Sequence, residues 1–389
     1  MAKGARMKLL VDGVFFQLAN SGIARVWRSL LPRLATYPDI EICLLDRGRA
    51  PEVPGVRRID FPAYTMTDTA ADSLLIEQIG EDWGADIFSS TYYTTPVSIP
   101  SVLIVHDMIP ELFDFDMADR MWQEKALAIS FARSFLCVSE NTRDDLLKHY
   151  PDSADRSAIV ARCGLDHDVF RPQRDVDVQE FKQEYGLKKP YFLLVGSREQ
   201  HKGYKNARLL FDAIKEKRVN EFDILCVGGE RELQRGFVAG LPKGVEVRKI
   251  EVDDRILARA YAGAQALVFP SLYEGFGLPV AEAMACGCPV ITTALGSLKE
   301  VAGDAAELIS GRDPGELAKA LDAVREPRRR AELIARGYER AKAFDWDTMA
   351  KKFHDLLGAT LAGSKAQTTQ RFLAEWKRLR EIQAAVDIH

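Results

Sequence analysis

The sequence that decides the fold is Pro270-Ser-Leu-Tyr-Glu-Gly-Phe-Gly-Leu-Pro279. It follows the apolar run 266–269, which predicts a buried strand, and it leads into a predicted helix. Pro279 suits the first helical turn, because proline lacks the N–H that would have no helical partner there. Gly275 and Gly277 carry no side chain, so a ligand can approach the backbone closely. This strand, turn and helix start together predict a site for phosphate oxygens.

Two glutamates frame this turn. Glu274 precedes the glycines, and Glu282 follows in the first turns of the helix. A phosphate would repel both carboxylates, whereas sugar and ribose hydroxyls would donate hydrogen bonds to them. Glu274 therefore suits a transferred sugar, and Glu282 suits the ribose of a nucleotide. The alternative is that Glu274 caps the helix and Glu282 interacts only with its dipole.

Short apolar runs alternate with helical patterns along the whole chain, which is typical of βαβ units and parallel sheets. The length of 389 residues is that of two domains. We therefore predict an α/β protein with two doubly wound, Rossmann-like domains. Residues 1–165 form the first domain, 166–190 a polar linker, 191–362 the second domain, and 363–389 a helical tail.

The predicted elements follow these boundaries. Strands are predicted at residues 7–11, 40–45, 86–89, 102–105, 135–138 and 158–161, and in the second domain at 191–195, 223–227, 245–250, 266–269 and 290–292. Helices are predicted at residues 117–132 and 141–150, among others, and residues 346–357 form the last helix of the second domain. The tail is amphipathic and basic, which predicts a helix that packs or dimerises, or one that lies on a membrane surface.

Composition excludes several classes of protein. The net charge of -4 gives no support for nucleic-acid binding. No apolar run approaches the roughly 20 residues of a membrane span, and Asp12 interrupts the one apolar stretch that could serve as a secretion signal. The six cysteines are scattered, and we expect them to be buried and reduced. We therefore expect a cytoplasmic protein.

Glu274 and Glu282, with seven residues between them inside the quoted turn, resemble the E-x7-E motif of glycosyltransferase family 4. Val195-Gly-Ser-Arg-Glu-Gln-His-Lys-Gly-Tyr-Lys-Asn206 and Val105-His-Asp-Met-Ile-Pro-Glu111 are also similar to that family. The resemblance covers the chain up to about residue 362. It implies the GT-B fold, in which two Rossmann-like domains face each other across a cleft. It also implies that a sugar leaves a nucleoside diphosphate and is transferred with retention of anomeric configuration.

The resemblance assigns cations to the donor diphosphate, whose charge grows as the nucleotide departs. Arg198 and a following lysine fill this role. The loop is longer than is usual in the family, so Lys202 and Lys205 are both candidates, and the sequence Gly-Tyr-Lys-Asn favours Lys205. Further donor contacts are expected from the main chain and side chains of Ser197, Gly275, Phe276, Gly277, Leu278 and Glu282.

The first half of the chain supplies fewer candidates. The loop Asn20-Ser-Gly-Ile-Ala-Arg25 matches the phosphate loop of the family only at Gly22 and Arg25. Gly22 is therefore either a donor contact or part of a tight turn without a ligand. His106 and Asp107 end a predicted strand, where ligands of open α/β sheets bind. The resemblance places His106 near the reacting centre, and Asp107 either faces the acceptor or caps the following turn.

The sequence thus predicts a retaining glycosyltransferase that transfers a hexose to a glycan or a lipid-linked saccharide. GDP-mannose is the favoured donor, and UDP-glucose, other UDP-sugars and GDP-fucose are alternatives. We expect no metal and no cofactor, because no Asp-x-Asp motif lies on a strand-end loop. Expected partners are the nucleotide sugar and the acceptor, with a second copy of the chain or the inner face of the membrane as candidates for the tail.

Two other classes of protein stay open at this point. Nucleotide-sugar 2-epimerases share the two-lobed fold and bind the same donors, but they use no acceptor and have a different carboxylate pattern. A non-catalytic nucleotide-sugar-binding protein is the other alternative, although Glu274, Glu282, Arg198 and His106 are all intact. Release of nucleotide with and without an acceptor would distinguish these classes.

Overall fold

The apolar runs of the first half form one Rossmann-like unit in a computed structural model of the chain. The structure describes residues 6–19, 22–65, 69–198, 203–215, 221–230, 232, 235–364, 370 and 373–380. The chain divides into a first unit, Met1–Arg162 with Trp346–His389, and a second unit, Cys163–Asp345. Each unit has its own parallel sheet.

In the first unit the sheet winds outward from its first strand. The strands are β1 (Met7–Asp12), β2 (Ile40–Asp46), β3 (Arg57–Asp60), β4 (Ile87–Ser90), β5 (Val102–Val105), β6 (Ser134–Cys137) and β7 (Ser157–Val160). They form the parallel sheets β3-β2-β1-β4 and β5-β6-β7. A parallel bridge between Phe88 and Ser101 connects β4 to β5.

Helices cover this sheet. They are α1 (Val14–Leu18), α2 (Gly22–Leu34), α3 (Thr69–Trp83), α4 (Ile109–Leu112), α5 (Arg120–Phe131) and α6 (Glu140–His149), followed by a 3₁₀ turn at Pro151–Ser153. In α2 the buried residues recur with the helical period, and Trp27, Leu30 and Leu34 are fully buried. Burial of that apolar stripe fixes which face of α2 packs against the rest of the unit.

The second unit contains a six-stranded parallel sheet. Its strands are β8 (Tyr191–Val195), β9 (Asp223–Val227), β10 (Val247–Ile250), β11 (Ala266–Phe269), β12 (Val290–Thr293) and β13 (Glu307–Ile309). The spatial order is β10-β9-β8-β11-β12-β13, as in Rossmann folds. The chain therefore moves outward from β8 on one side and from β11 on the other.

Helices pack against this second sheet and against each other. They are α7 (Asp175–Glu184), α8 (Arg208–Lys215), α9 (Arg235–Val238), α10 (Asp254–Gly263), α11 (Leu278–Ala285), α12 (Leu298–Ala302), α13 (Pro314–Ala323) and α14 (Pro327–Ala341). The last long helix of the chain is α15 (Trp346–Ser364). Among the described residues, no helix has both the length and the apolar character needed to cross a membrane.

The compact units differ from the predicted domains in two places. Residues 166–190 were predicted as a linker, but they contain α7, which packs on α10 in the second unit. Its Phe181 is fully buried, so this segment belongs to a core. Helix α15 was predicted to close the second domain, but it packs on α2 of the first unit. There the rings of Phe353 and Trp27 lie nearly perpendicular, with 5.8 Å between their centroids.

The described part of the tail lies against the first unit. Arg380 donates a hydrogen bond of 3.0 Å to Ser73 on α3. Lys377 pairs with Glu81 and lies 3.9 Å from Glu77 on the same helix. These contacts fit the prediction that the tail packs on its own chain. The predicted dimer and the predicted membrane contact stay predictions.

Candidate functional site

A pocket lies where the strand order of the second sheet reverses. The reversal falls between β8 and β11, and ligands of open α/β sheets bind beyond the carboxyl ends of strands at such a point. The pocket is lined by Gly196, Ser197 and Arg198 after β8, by Lys205, and by Pro270 and Ser271 after β11. The two motifs that the sequence analysis singled out in this half therefore meet at one edge of one sheet.

Lys205 and Glu274 form an ion pair beside this pocket. Lys205 Nζ lies 2.7 and 2.9 Å from the two oxygens of the Glu274 carboxylate. The side chains are 19% and 11% exposed, so solvent weakens the pair only partly. The ammonium also lies 5.5 Å from the centre of the Phe269 ring, within the range of a cation–π contact. The structure thus brings together a predicted phosphate ligand and a predicted sugar ligand.

Asn206 holds the lysine loop in place. Its side-chain amide donates to the carbonyl of Pro270 at 3.1 Å and to that of Gly311 at 2.8 Å. Its φ of 53° lies in the left-handed region, which asparagine tolerates better than most residues. On the other side of Lys205, the carbonyl of Tyr204 accepts a hydrogen bond from the Leu272 amide. Lys205 is therefore fixed between two connections to the turn after β11.

The glycine turn is held from behind by Ser297. The buried Ser297 hydroxyl lies 2.8 Å from the carbonyl oxygens of Glu274 and Phe276 and donates its one proton between them. In a trans peptide the N–H points opposite to the C=O. The N–H group of Gly277, which shares a peptide with the Phe276 carbonyl, therefore points away from Ser297, as an anion site at the turn would require.

Helix α11 begins directly after this turn. Gly277 has a φ of 96° and precedes the first helical residue, Leu278. A Cβ on Gly277 would lie 2.8 Å from a methyl group of Leu298, so the position suits glycine for both backbone and space. Pro279 occupies the first turn, as the sequence predicted.

Glu282 lies in the second turn of α11, with only 1% of its surface exposed. The Tyr261 hydroxyl of α10 donates to its carboxylate at 3.0 Å. A carboxylate buried at this depth requires such a donor. Its predicted contact with a ribose stays a prediction, because the structure shows the carboxylate turned toward α10.

Arg198 has a different environment from the one that the sequence suggested. Its guanidinium donates to the backbone carbonyls of Gly196, Gly228 and Glu230 at 3.3, 2.9 and 3.1 Å. It also lies 3.4 Å from the Glu230 carboxylate, which accepts a hydrogen bond from the Ser197 hydroxyl. The predicted diphosphate contacts of Arg198 and Ser197 thus stay predictions. Lys202 lies outside the described residues.

The candidates of the first unit follow β5. His106 is buried, and burial together with the charge of Lys125 lowers its pKa from 6.5 to about 3. Asp107 accepts a hydrogen bond of 3.0 Å from the Ile109 amide, as in an Asx-turn, but the N-cap position of α4 is Met108 and not Asp107. Gly22 is exposed at the start of α2. The roles of His106, Asp107 and Gly22 in binding stay predictions.

Lys125 is a residue that the sequence analysis missed. It is fully buried, and its ammonium donates to the Asp107 carbonyl at 3.0 Å and to the Glu111 carboxylate at 2.7 Å. Tyr150 donates to the same carboxylate at 2.8 Å. This cluster holds the turn that follows His106. A lysine on the predicted helix 117–132 carries no local signal of burial, because lysine is mostly exposed.

Ser297, Asn206 and Glu230 were also missed. Each one follows a strand or begins an element at the same edge of the second sheet. The rule that ligands bind beyond the carboxyl ends of strands would have included them as candidates. It would not have separated them from their neighbours, because their roles depend on contacts with residues far away in the sequence.

Comparison with known proteins gives a consistent result. A family model described as glycosyl transferases group 1 matches residues 189–326. Over 378 residues the chain is 29% identical to the O-antigen chain mannosyltransferase B of Escherichia coli, which covers 88% of this chain and 97% of that protein. Over 382 residues it is 30% identical to a D-inositol 3-phosphate glycosyltransferase of Frankia alni, with 86% and 89% covered.

Among solved structures, sucrose-phosphate synthase from Thermosynechococcus elongatus is similar with a TM-score of 0.73. The identity is 20%, and the likeness covers 92% of this chain and 100% of that one. At that identity the likeness concerns the fold alone. The fold is GT-B, with two Rossmann-like domains.

Proposed function

This chain belongs to the glycosyl transferases of group 1, glycosyltransferase family 4, and from that premise we propose that it transfers mannose from GDP-mannose to a saccharide acceptor. Family membership makes it a glycosyltransferase. Mannose is proposed because an O-antigen chain mannosyltransferase matches almost the whole chain. Retention of the anomeric configuration is part of the proposal, since it is what the family resemblance implies.

The observation that carries this proposal is the pair of Lys205 and Glu274 at the pocket. The departing nucleoside diphosphate gains negative charge, which a fixed ammonium stabilises. The carboxylate accepts hydrogen bonds from hydroxyls of the transferred sugar. Without a donor the two groups neutralise each other at 2.7 Å. Donor binding would exchange that contact for phosphate on Lys205 and sugar on Glu274.

The chemical step needs little else from the protein. We propose that the acceptor hydroxyl attacks from the face that the diphosphate leaves, through an oxocarbenium-like state, and that the diphosphate takes the acceptor proton. The N–H group of Gly277, turned away from Ser297, would add a hydrogen bond to the phosphates. The family resemblance also implies a role for His106 in the reaction, and the imidazole would act in its neutral form, because its pKa lies far below 7.

The proposed acceptor is a growing glycan or a lipid-linked saccharide. The enzyme would then act in the cytoplasm or at the inner face of the membrane, where nucleotide sugars and such acceptors meet. We also propose that transfer requires no metal ion, because Lys205 and the glycine turn would stabilise the charge of the diphosphate by an ion pair and hydrogen bonds.

The first experiment is a donor panel with the full-length protein. GDP-mannose, GDP-fucose, UDP-glucose and UDP-galactose are each incubated with and without mannobiose, and nucleotide release and a new trisaccharide are measured. Acceptor-dependent GDP release and a trisaccharide from GDP-mannose alone are the expected result. A trisaccharide formed only from a UDP-sugar would overturn the choice of donor.

The same assay tests the metal requirement. We expect full turnover in excess chelator, since the proposed stabilisation of the diphosphate uses side chains and backbone only. Turnover that disappears with chelator and returns with Mg²⁺ or Mn²⁺ would contradict this part of the proposal. Nucleotide release that ignores the acceptor would instead point to rearrangement or hydrolysis of the donor.

A further inference from the structure

We propose that Glu230 determines donor affinity, as an internal anion that occupies the hydrogen-bond donors of Ser197 and Arg198 until a nucleoside diphosphate displaces it. Glu230 follows Gly228 and Gly229 directly after β9, beside the pocket. The inference rests on the proposed function, and it adds Ser197 and Arg198, which the sequence assigned to the diphosphate, to Lys205 and the glycine turn as its ligands.

The contacts of the Glu230 carboxylate resemble those of a bound phosphate. Its two oxygens lie 3.0 and 3.2 Å from the backbone nitrogen of Arg198, which donates to them. The Ser197 hydroxyl donates to one oxygen, and the Arg198 guanidinium lies 3.4 Å from the other. A main-chain N–H, a hydroxyl and a guanidinium are the donors that anionic oxygens prefer. The carboxylate therefore takes the place of an anion at the end of β8.

The backbone around Glu230 is shaped for this contact. Gly229 has a φ of 76°, and a Cβ there would lie 2.5 Å from the carbonyl oxygen of Gly196. It would also lie 3.1 Å from Nη1 of Arg198. A side chain at this position would separate the loops after β8 and β9, so glycine permits the approach of Glu230 to Ser197 and Arg198.

The two partners differ in their freedom to move. The Arg198 side chain is 2% exposed and is tied to three carbonyls, whereas the Glu230 side chain is 27% exposed. A carboxylate can turn into water at low cost, but a buried guanidinium cannot. In the exchange, phosphate oxygens would accept the hydrogen bonds of Ser197 and of the Arg198 amide, and Glu230 would become solvated.

Charge decides the direction of the expected effect. A carboxylate about 5 Å from a diphosphate repels it, and partial exposure reduces this repulsion without removing it. Replacing Glu230 by glutamine keeps an oxygen that accepts hydrogen bonds and removes the charge. Glu230→Gln should therefore bind nucleoside diphosphates more tightly, by on the order of tenfold. If Glu230 only positioned Arg198, its replacement by glutamine would instead weaken the binding of nucleoside diphosphates.

The test is calorimetric titration of the full chain with GDP and with UDP at low and high salt. Glu307→Gln is the matched control, because Glu307 also pairs with an arginine, is 21% exposed, and begins β13 at the opposite edge of the same sheet. We expect a lower Kd for Glu230→Gln than for the wild type, and a smaller gain in affinity at high salt. Glu307→Gln should have the Kd of the wild type.

An unchanged or higher Kd for Glu230→Gln, with wild-type thermal stability, would overturn the inference and leave the proposed function intact. If the glutamine variant does not fold, Glu230→Ala is measured with the same expected direction. A wild-type protein that binds neither GDP nor UDP would instead overturn the proposed function, and this inference with it.

Discussion

Lys205 is the residue on which the proposed donor site depends most. Lys205→Met removes the ammonium that lies 2.7 Å from Glu274 and keeps most of the side-chain volume. Loss of one preorganised charge at a departing group commonly lowers turnover by about 100- to 1000-fold. We therefore expect kcat/KM for the donor to fall by about that factor, measured by acceptor-dependent nucleotide release.

Lys202→Met serves as the comparison variant, because the sequence offered both lysines for the same task. We expect Lys202→Met to retain most of the wild-type kcat/KM, since Lys205 already pairs with the predicted sugar ligand. Equal losses in both variants would mean that they share the diphosphate. A loss in Lys202→Met alone would assign the diphosphate contact to Lys202 and contradict the choice of Lys205.

Residue identity predicted part of this site. Lys205, Glu274 and the glycine turn could be named from the sequence, because their chemistry and spacing are recognisable locally. The direction of the Arg198 side chain could not be, because it depends on carbonyls after β8 and β9 that compete for its five N–H donors. The base of the proposed donor is likewise not indicated by any residue that lines this pocket.

At the scale of elements, the turn between β11 and α11 depends on the start of α12. Ser297→Ala removes a buried hydroxyl proton from the carbonyls of Glu274 and Phe276. Two buried acceptors then lose a partner, which costs about 1–3 kcal/mol of the free energy of unfolding. The turn also loses the hydroxyl contact that orients its peptide groups, so we expect the donor KM to rise by about tenfold. Chemical denaturation and donor titration measure the two effects.

Ser364→Ala is the control for this prediction. Ser364 is also a buried serine whose hydroxyl donates to a carbonyl, but it lies at the end of α15 in the first unit. Its donor KM should equal that of the wild type. A Ser297→Ala variant that loses stability but keeps the wild-type donor KM would show that the turn does not need its serine for binding.

Elements with a buried apolar run were predictable, and those without one were not. The predicted bounds of β5, β8, β9 and β11 agree with the structure. Strands β3 and β13 were missed, because both are short edge strands. Three of the four residues of β3 are charged, and β13 has only three residues, too few to show a pattern. Helix α7 was missed because its buried residues are only Val178 and Phe181, within an otherwise polar segment.

For the whole molecule, His106 links stability to pH. Its folded pKa is about 3, whereas an unfolded histidine titrates near 6.5. Between these values the unfolded chain binds a proton that the folded chain does not, so the free energy of unfolding falls as the pH falls. The slope approaches about 1.4 kcal/mol per pH unit. From pH 6.5 to 4.5, we expect His106 alone to account for a loss of about 2 kcal/mol.

The comparison of wild type with His106→Asn isolates this contribution, because the carboxylates of the protein titrate in both. Urea denaturation at several pH values should give a shallower decline for the variant. The C2 proton of His106 should also show no titration between pH 5 and 8 in the folded protein. Parallel stability profiles, or an imidazole that titrates near pH 6.5, would refute the assignment.

The overall division of the chain was the least predictable feature. The sequence of helix α15 has an apolar stripe, but such a stripe does not indicate which of the two units the helix packs against. The structure settles this through contacts such as Thr360 with Ser134 at 2.8 Å, which join residues 226 positions apart. Long-range pairing of this kind follows from the packing of the complete chain and leaves no local pattern.

The return of α15 makes the second unit an insertion within the first. Leu165 and Asp345 form a parallel bridge, and the Leu165 amide donates to the Phe344 carbonyl, so the chain enters and leaves this unit at adjacent points. Adjacent termini are what allow a segment to be excised or transplanted as a module. The second unit is therefore a cassette in the order of the chain. Since the proposed donor site lies in this unit, we expect its exchange between relatives to alter donor preference.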